Sequence, residues 1–303
     1  MARRHRLVRS RESSRRVSRA GAFCRGLYLM SFFLLLPPAL NAQLATGSIV
    51  VLESSGDYIA MAADSKSVSI KGTSLHRCKI VALDDGLIYA ATGYTSNFGG
   101  RRFGNRESWD ASDIARLEYR LLARDSRHEL ILKLAEDYGA SIAGRLKSDV
   151  KSHPREGWPW SLTTALFAGF DETHQRVVVE VTVHQGTNVG ADQKVGYSTK
   201  LFPANDLRYA EVVGETSIAQ EYVASSTPRS QAWREDLAIR TAGFRLKELL
   251  ISDVENMVEL TSKFTPSLVG GPVDAILLSR KVGDAGVTWV RRKPECSAAH
   301  AEH

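Results

Sequence analysis

Two closely spaced hairpins, each built from segments that are apolar at both odd and even positions, constrain the fold of this chain more than any other feature. In the first, Ser48-Ile49-Val50-Val51-Leu52 is a β-branched run, Glu53-Ser54-Ser55-Gly56-Asp57 carries turn chemistry, and Tyr58-Ile59-Ala60-Met61-Ala62-Ala63 is a second run. In the second, Lys79-Ile80-Val81-Ala82-Leu83 and Leu87-Ile88-Tyr89-Ala90-Ala91-Thr92-Gly93 flank the turn Asp84-Asp85-Gly86. A strand with apolar side chains on both faces must be covered on both faces, so these hairpins belong to the inner sheets of a layered structure.

Helical spacing takes over after a Gly-, Asn- and Arg-rich loop over 94–109. Asp110 or Ser112 can cap a first helix with Ile114, Leu117 and Leu121 on one stripe. A second stripe, Leu130, Leu134, Tyr138, Ile142 and Leu146, predicts a longer helix ending near His153-Pro154. Strand character returns over 162–170, 177–183 and 210–213. A helix then starts at Ser217, a long one runs from about Gln231 to Met257, and a last strand pair covers 275–279 and 287–291. Strands and helices that cluster rather than alternate predict an α+β fold, two antiparallel sheets with 112–150 on one outer face and 217–257 on the other. Nothing repeats at a fixed period, and residues 293–303 read as a disordered tail.

The chain has 303 residues, 43% hydrophobic and 24% charged, enough for one sizeable core. Its net charge of +6 would suggest an anionic partner, but residues 1–25 hold nine arginines against Glu12 alone, a segment charge of +8, which leaves −2 for the remainder. No general basic surface survives, and nucleic-acid binding loses its support. The apolar run from Gly26 to Leu36 is far shorter than the roughly 20 residues a spanning helix needs. Its length and basic flank predict a signal peptide over 1–42 with Ala42 before the cut, an uncleaved anchor being the alternative. Arg15-Arg16 lacks the apolar residues of a twin-arginine signal. The mature protein is expected to be exported, periplasmic or secreted, with no membrane attachment after cleavage. Cys24 leaves with the signal, and Cys78 and Cys296 make neither a disulfide framework nor a C-x-x-C pair. Cys78, beside Lys79 on a strand, is read as core. The scattered histidines show no ligand spacing, so neither a metal nor another cofactor is expected.

The residues that could carry chemistry are Thr46 after the signal region, Asp64 after the second strand, Lys79 at the start of the third, and Gly93 at a strand end. A hydroxyl is a poor nucleophile until something takes its proton. A free α-amine on the same residue can, because its unperturbed pKa of about 7.7 to 8.0 lies near operating pH. A nearby lysine lowers the hydroxyl pKa, an aspartate orients the lysine, and the Gly93 N–H can donate to the oxyanion. Read singly, an aspartate after a strand is a turn cap and a lysine at a strand edge is a solvated gatekeeper.

In their order and spacing, these residues resemble the proteasome β-subunit family and its bacterial relatives over roughly 46–292. The landmarks are Thr46 before an apolar strand, Gly56, Ala62-Ala63-Asp64-Ser65-Lys66, Lys79-Ile80-Val81-Ala82-Leu83, Ala91-Thr92-Gly93, Ala168-Gly169-Phe170-Asp171, Val213-Gly214 and Gly270-Gly271. The resemblance implies a four-layer αββα sandwich of the N-terminal-nucleophile hydrolase class. It implies Thr46 as nucleophile and base, Lys79 and Asp64 as its activators, and Gly93 in the oxyanion hole. It further implies a propeptide, here 43–45, removed by the nucleophile, a peptide or small-amide substrate, and assembly into homo-oligomeric rings. Asp64 follows Thr46 by a longer interval than in the family. A longer turn about Gly56-Asp57 absorbs the difference; without it, Ser48 takes the nucleophile's position. Glu215 stands where the family has a serine, and Pro266-Ser267-Leu268-Val269 lacks its aspartate and serine. A catalytically silent fold serving in binding or assembly is the alternative.

Overall fold

The computed structural model describes residues 48–68, 74–76, 78–96, 109–122, 126–152, 160–186, 194–204, 208–225, 227–281, 283, 285–293 and 296. Thr46, the expected signal segment 1–42, the expected propeptide 43–45 and the end of the expected tail lie outside the described residues.

The elements in chain order are β1 (Ile49–Ser55), β2 (Tyr58–Ala63), β3 (Lys66–Val68), β4 (Ser74–His76), β5 (Ile80–Asp84) and β6 (Leu87–Gly93). Then come α1 (Ala111–Leu122), α2 (Arg127–Ser152), β7 (Ser161–Phe170), β8 (Arg176–Gln185), β9 (Val195–Phe202) and β10 (Arg208–Gly214). The chain ends on α3 (Ser217–Ala224), α4 (Pro228–Arg240), α5 (Leu246–Phe264), β11 (Asp274–Ser279) and β12 (Gly286–Arg291). One antiparallel sheet has the order β10-β1-β2-β11-β12 and the other β5-β6-β7-β8-β9, with β3 and β4 paired separately.

The doubly apolar strands are the middle of this stack. Val50, Leu52, Ile59 and Met61 face Ile88, Ala90, Leu166 and Val178 between the sheets. Their neighbours Ile49, Val51, Ala60 and Ala62 face the other way, onto Val254, Met257 and Val258 of α5. On the far side Tyr89, Phe167 and Val179 pack under Leu134, Tyr138 and Ile142 of α2. Each strand residue therefore enters one of two cores, which is why no polar alternation is visible in the sequence. The fold is a four-layer αββα sandwich of two five-stranded antiparallel sheets, as the sequence implied.

Four local readings change. On α1 only Ile114 of the expected stripe is buried; Leu117 and Leu121 are exposed, and the face turned to the core runs through Ala111, Ile114, Ala115 and Leu122. Ser55 pairs with Tyr58, so the first hairpin closes through a two-residue turn, Gly56-Asp57, with Gly56 at φ +57°. The longer turn expected there does not exist. The long helix expected over 231–257 is two, α4 and α5, because the chain turns at Thr241-Ala242-Gly243 with Gly243 at φ +89°, a conformation a helix cannot continue through. Strand β9 escaped the sequence reading because it is a sheet edge whose side chains are mostly exposed, so its apolar pattern is weak.

Candidate active site

The site is built where the start of β1 and the ends of β2, β6 and β10 meet. Ser48 precedes β1, and its carbonyl accepts the Glu215 N–H at 2.8 Å. Gly214 ends β10 at φ +95°, and a Cβ there would stand 2.0 Å from the Ser48 oxygen and 3.2 Å from Thr92 Cγ2. Glycine is required at this crossing of three chain segments. Gly93 is equally constrained, at φ +89° with Leu162 O 2.3 Å from the place of a Cβ.

Asp64 is the hub. It is fully buried just past β2, and five donors converge on its carboxylate. Oδ1 accepts the Ile49 N–H at 2.9 Å, Lys79 Nζ at 2.5 Å and Ser48 Oγ at 3.4 Å. Oδ2 accepts the Lys66 N–H at 3.2 Å and the Gly270 N–H at 3.1 Å. The Ser48 contact is longer than a committed hydroxyl–carboxylate bond, so that hydroxyl remains available to another partner. Lys79 is 8% exposed and also donates to the Lys66 carbonyl at 2.7 Å. Burial pushes its ammonium below the ordinary lysine range, and Asp64 opposes that shift. An amine so placed can hold or accept a proton nearer neutrality than a surface lysine can.

The structure thus brings together Asp64, Lys79 and Ser48, with Gly93 at the neighbouring strand end, whereas Thr46 lies outside the described residues. The tight β1–β2 turn sets the register. With no extra residues in the hairpin, Ser48 is the residue whose hydroxyl meets Asp64. Glu215 is occupied elsewhere: its carboxylate accepts Ser217 Oγ at 2.6 Å at the start of α3. The Pro266–Val269 segment contributes backbone instead of side chains. Its Pro266 and Ser267 carbonyls take Lys66 Nζ at 2.6 and 3.0 Å, and the following Gly270 supplies an N–H to Asp64.

Two features escaped the sequence reading. Cys78 is bonded to Cys296 across 218 residues, and it lies outside the β5 ladder, not in a strand core. The even count of cysteines beyond the N-terminal basic and apolar segments was the available signal. Asp274 and Lys293 form a second buried ion pair at 3.0 Å, so neither Lys293 nor Cys296 belongs to a free tail. Among the described residues no group of three metal-ligating side chains occurs, and no helix is long and apolar enough to cross a membrane. A polar cleft of about 290 Å³ bordered by Ser54, Gly56, His174, Arg176 and Arg280 lies at the other end of β1 and holds none of the candidate residues.

No family model matches the sequence, and no curated protein matches it. Among solved structures, the chain is similar in fold to Anbu from Hyphomicrobium sp. strain MC1, at 14% identity over 81% of this chain and 86% of that one, TM-score 0.46. A Gly-1 mutant of that protein aligns at 11% identity over 84% and 91%, TM-score 0.46. Anbu, the ancestral beta-subunit, from Yersinia bercovieri aligns at 12% identity over 83% of this chain and 90% of that one, TM-score 0.47. At these values no residue role carries across, and the site rests on the geometry above.

Proposed function

We propose that the chain is an amide hydrolase of the N-terminal-nucleophile type, acting on peptides or small amides, with Ser48 as nucleophile, Lys79 and Asp64 as its activating pair and Gly93 as an oxyanion donor. The observation that carries this reading is the sharing of one carboxylate oxygen, Asp64 Oδ1, by Lys79 Nζ and Ser48 Oγ inside a buried site. Asp64 thereby holds the lysine and the hydroxyl on the same carboxylate oxygen, and a rotation of the uncommitted Ser48 hydroxyl is what would bring it to the amine.

While Gly47 is attached, the Ser48 nitrogen is an amide and cannot act as a base. Lys79 in its neutral form, which burial makes more accessible by lowering its pKa, is then the group able to take the hydroxyl proton as Ser48 Oγ attacks the Gly47 carbonyl. The C–N bond breaks, the nitrogen leaves as the α-amine with that proton, and water cleaves the resulting ester. The freed amine, with its pKa near operating pH, then serves as base for later substrates. Glycine before the cut leaves the carbonyl unhindered. On this reading Thr46 belongs to the removed segment 43–47.

Export is proposed as well. The basic n-region and short apolar run support it, and a disulfide beside the site is the chemistry of an oxidising compartment. Outside the reach of ATP, substrates would be peptides, unfolded chains or small amides. Assembly into homo-oligomeric rings is proposed alongside export.

Mass spectrometry of the exported protein tests the nucleophile. Wild type and Thr46→Ala should begin at Ser48, while Ser48→Ala and Lys79→Ala should begin at Gln43 and lack amidase activity. A wild type beginning at Thr46 would return the role to that residue. One beginning at Gln43 with no hydrolysis would favour the silent fold.

A further inference from the structure

Lys79 is held at its tip by Asp64, but its backbone precedes the first ladder residue of β5, Ile80. The ladder anchors it only on the Ile80 side, and on the other side the tie is Cys78. Cys78 is bonded to Cys296, and Cys296 Sγ lies 3.8 Å from Asp274 Oδ2. Asp274 begins β11 opposite Ala63, the residue before Asp64, so the two buried carboxylates sit at the ends of adjacent strands. Asp274 accepts the Lys293 backbone N–H at 2.9 Å and Lys293 Nζ at 3.0 Å, with both side chains almost wholly buried. The segment closes on itself through the Cys296 N–H to the Lys293 carbonyl at 3.0 Å and Arg292 Nη2 to the Cys296 carbonyl at 2.6 Å.

The charged groups facing Lys79 are therefore Asp64 from β2, Asp274 from β11 and Lys293 from the C-terminal segment; Lys66 offers its carbonyl and turns its own ammonium to Pro266 and Ser267. Lys293 opposes protonation of Lys79 and Asp274 favours it, both acting after the larger effect of burial.

We propose that the Cys78–Cys296 disulfide and the Asp274–Lys293 pair form a clamp that positions Lys79, and that reduction of the disulfide opens it. The proposal rests on the role given to Lys79 above. Reduction by a dithiol delivers two electrons and two protons, yielding two thiols while the dithiol closes into a ring disulfide. The segment from Arg292 to Cys296 then keeps no covalent tie to the site. Lys79 gains backbone freedom and solvent, and its pKa rises toward the ordinary lysine value.

The test uses the mature full chain with and without dithiothreitol, the redox state being verified by alkylation and intact mass. Labelling of Lys79 with acetic anhydride across pH, read by peptide mass spectrometry, reports its protonation without reference to activity. Reduction should raise the labelling midpoint by about one pH unit, a tenfold change in the protonation ratio. It should lower kcat by up to about a hundredfold, as misplacement of a catalytic group does, with KM nearly unchanged. Lys293→Ala should reproduce part of the midpoint shift with the disulfide intact, and Lys293→Arg should restore it. The Cys78→Ser/Cys296→Ser variant should match reduced wild type and ignore dithiothreitol; if it does not fold, reduced wild type and the Lys293 pair carry the test. An unchanged Lys79 midpoint on reduction overturns the clamp. Absence of hydrolysis in oxidised protein whose midpoint does shift overturns the nucleophile reading and leaves the clamp standing.

Discussion

Two buried charge clusters hang from β1, one near each end, and they are built on opposite balances of charge. At the start, Asp64 and Lys79 face each other one to one, and five donors are spent on a single carboxylate. Near the end, Glu53 and Asp253 of α5 share Arg208 of β10, whose Nη2 reaches Glu53 at 2.9 Å and also Asp253. Tyr222 of α3 donates to Asp253 at 2.5 Å. Two ionised carboxylates against one half-exposed guanidinium would leave an excess negative charge under the helices. Burial, and then repulsion by Asp253, push the Glu53 carboxyl up to about 7 despite Arg208. The same burial pushes Lys79 down. Desolvation thus moves an acid and a base in opposite directions, and the partner count decides how much is recovered.

The comparison can be broken most forcefully at the one-to-one cluster. Asp64→Asn leaves the Lys79 ammonium buried without its counter-ion and should cost about 3 to 5 kcal/mol in urea unfolding, together with loss of processing. A cost below about 1 kcal/mol would mean that Lys79 is neutral in the folded protein and the pair is not ionic.

At the two-acid cluster the sign of the pH dependence is the sharper readout. The folded protein holds the Glu53 proton up to about pH 7, whereas the unfolded chain releases it near 4.5. Its contribution to stability is therefore complete below 4.5 and lost as pH rises to about 7, on the order of 3 kcal/mol. Glu53→Gln, which keeps the uncharged form at every pH, should flatten this part of the profile and be more stable than wild type at pH 8. Should wild-type stability rise between pH 5 and 7 relative to Glu53→Gln, the assignment fails.

Arg208→Met removes the cation that both acids share. Because that guanidinium is half solvated, the expected cost is about 1 to 2 kcal/mol at pH 8, and less at pH 5 where Glu53 is protonated. Equal costs at both pH values would separate Arg208 from the titration.

The smallest effect belongs to Glu215, whose carboxylate serves the start of α3 through Ser217. Glu215→Ala should cost about 0.5 to 1 kcal/mol, the size of a helix-terminal interaction, and leave turnover close to wild type. A large change in turnover with unchanged stability would place Glu215 in the proton-handling set instead.

Much of the layering was legible before any coordinates. Strands apolar on both parities have to be covered twice, and helix stripes such as Leu130-Leu134-Tyr138 have to face a sheet, so the order of elements already implied helices outside two sheets. The residues of the Asp64–Lys79 pair were legible for a related reason: each stands at the end or start of a strong apolar strand, where the chain leaves the ladder. The Glu53–Asp253 cluster was not, because Glu53 sits among turn residues in the sequence and acquires its partner from a helix two hundred residues later.

By itself, then, the sequence determined the number of buried layers, the segregation of helices from sheets and the strand ends at which polar residues could gather, since these follow from periodicity and burial within a few residues. The tertiary structure decided the rest. The two-residue turn at Gly56-Asp57 set the register that puts Ser48 against Asp64, the pairing of β11 with β2 placed Asp274 beside the site, and the disulfide ties the segment of Lys293 to Cys78. Register and long-range pairing are properties of how strands meet, and a shift of a single residue in a sheet turns every side chain to the other face while leaving local propensities unchanged.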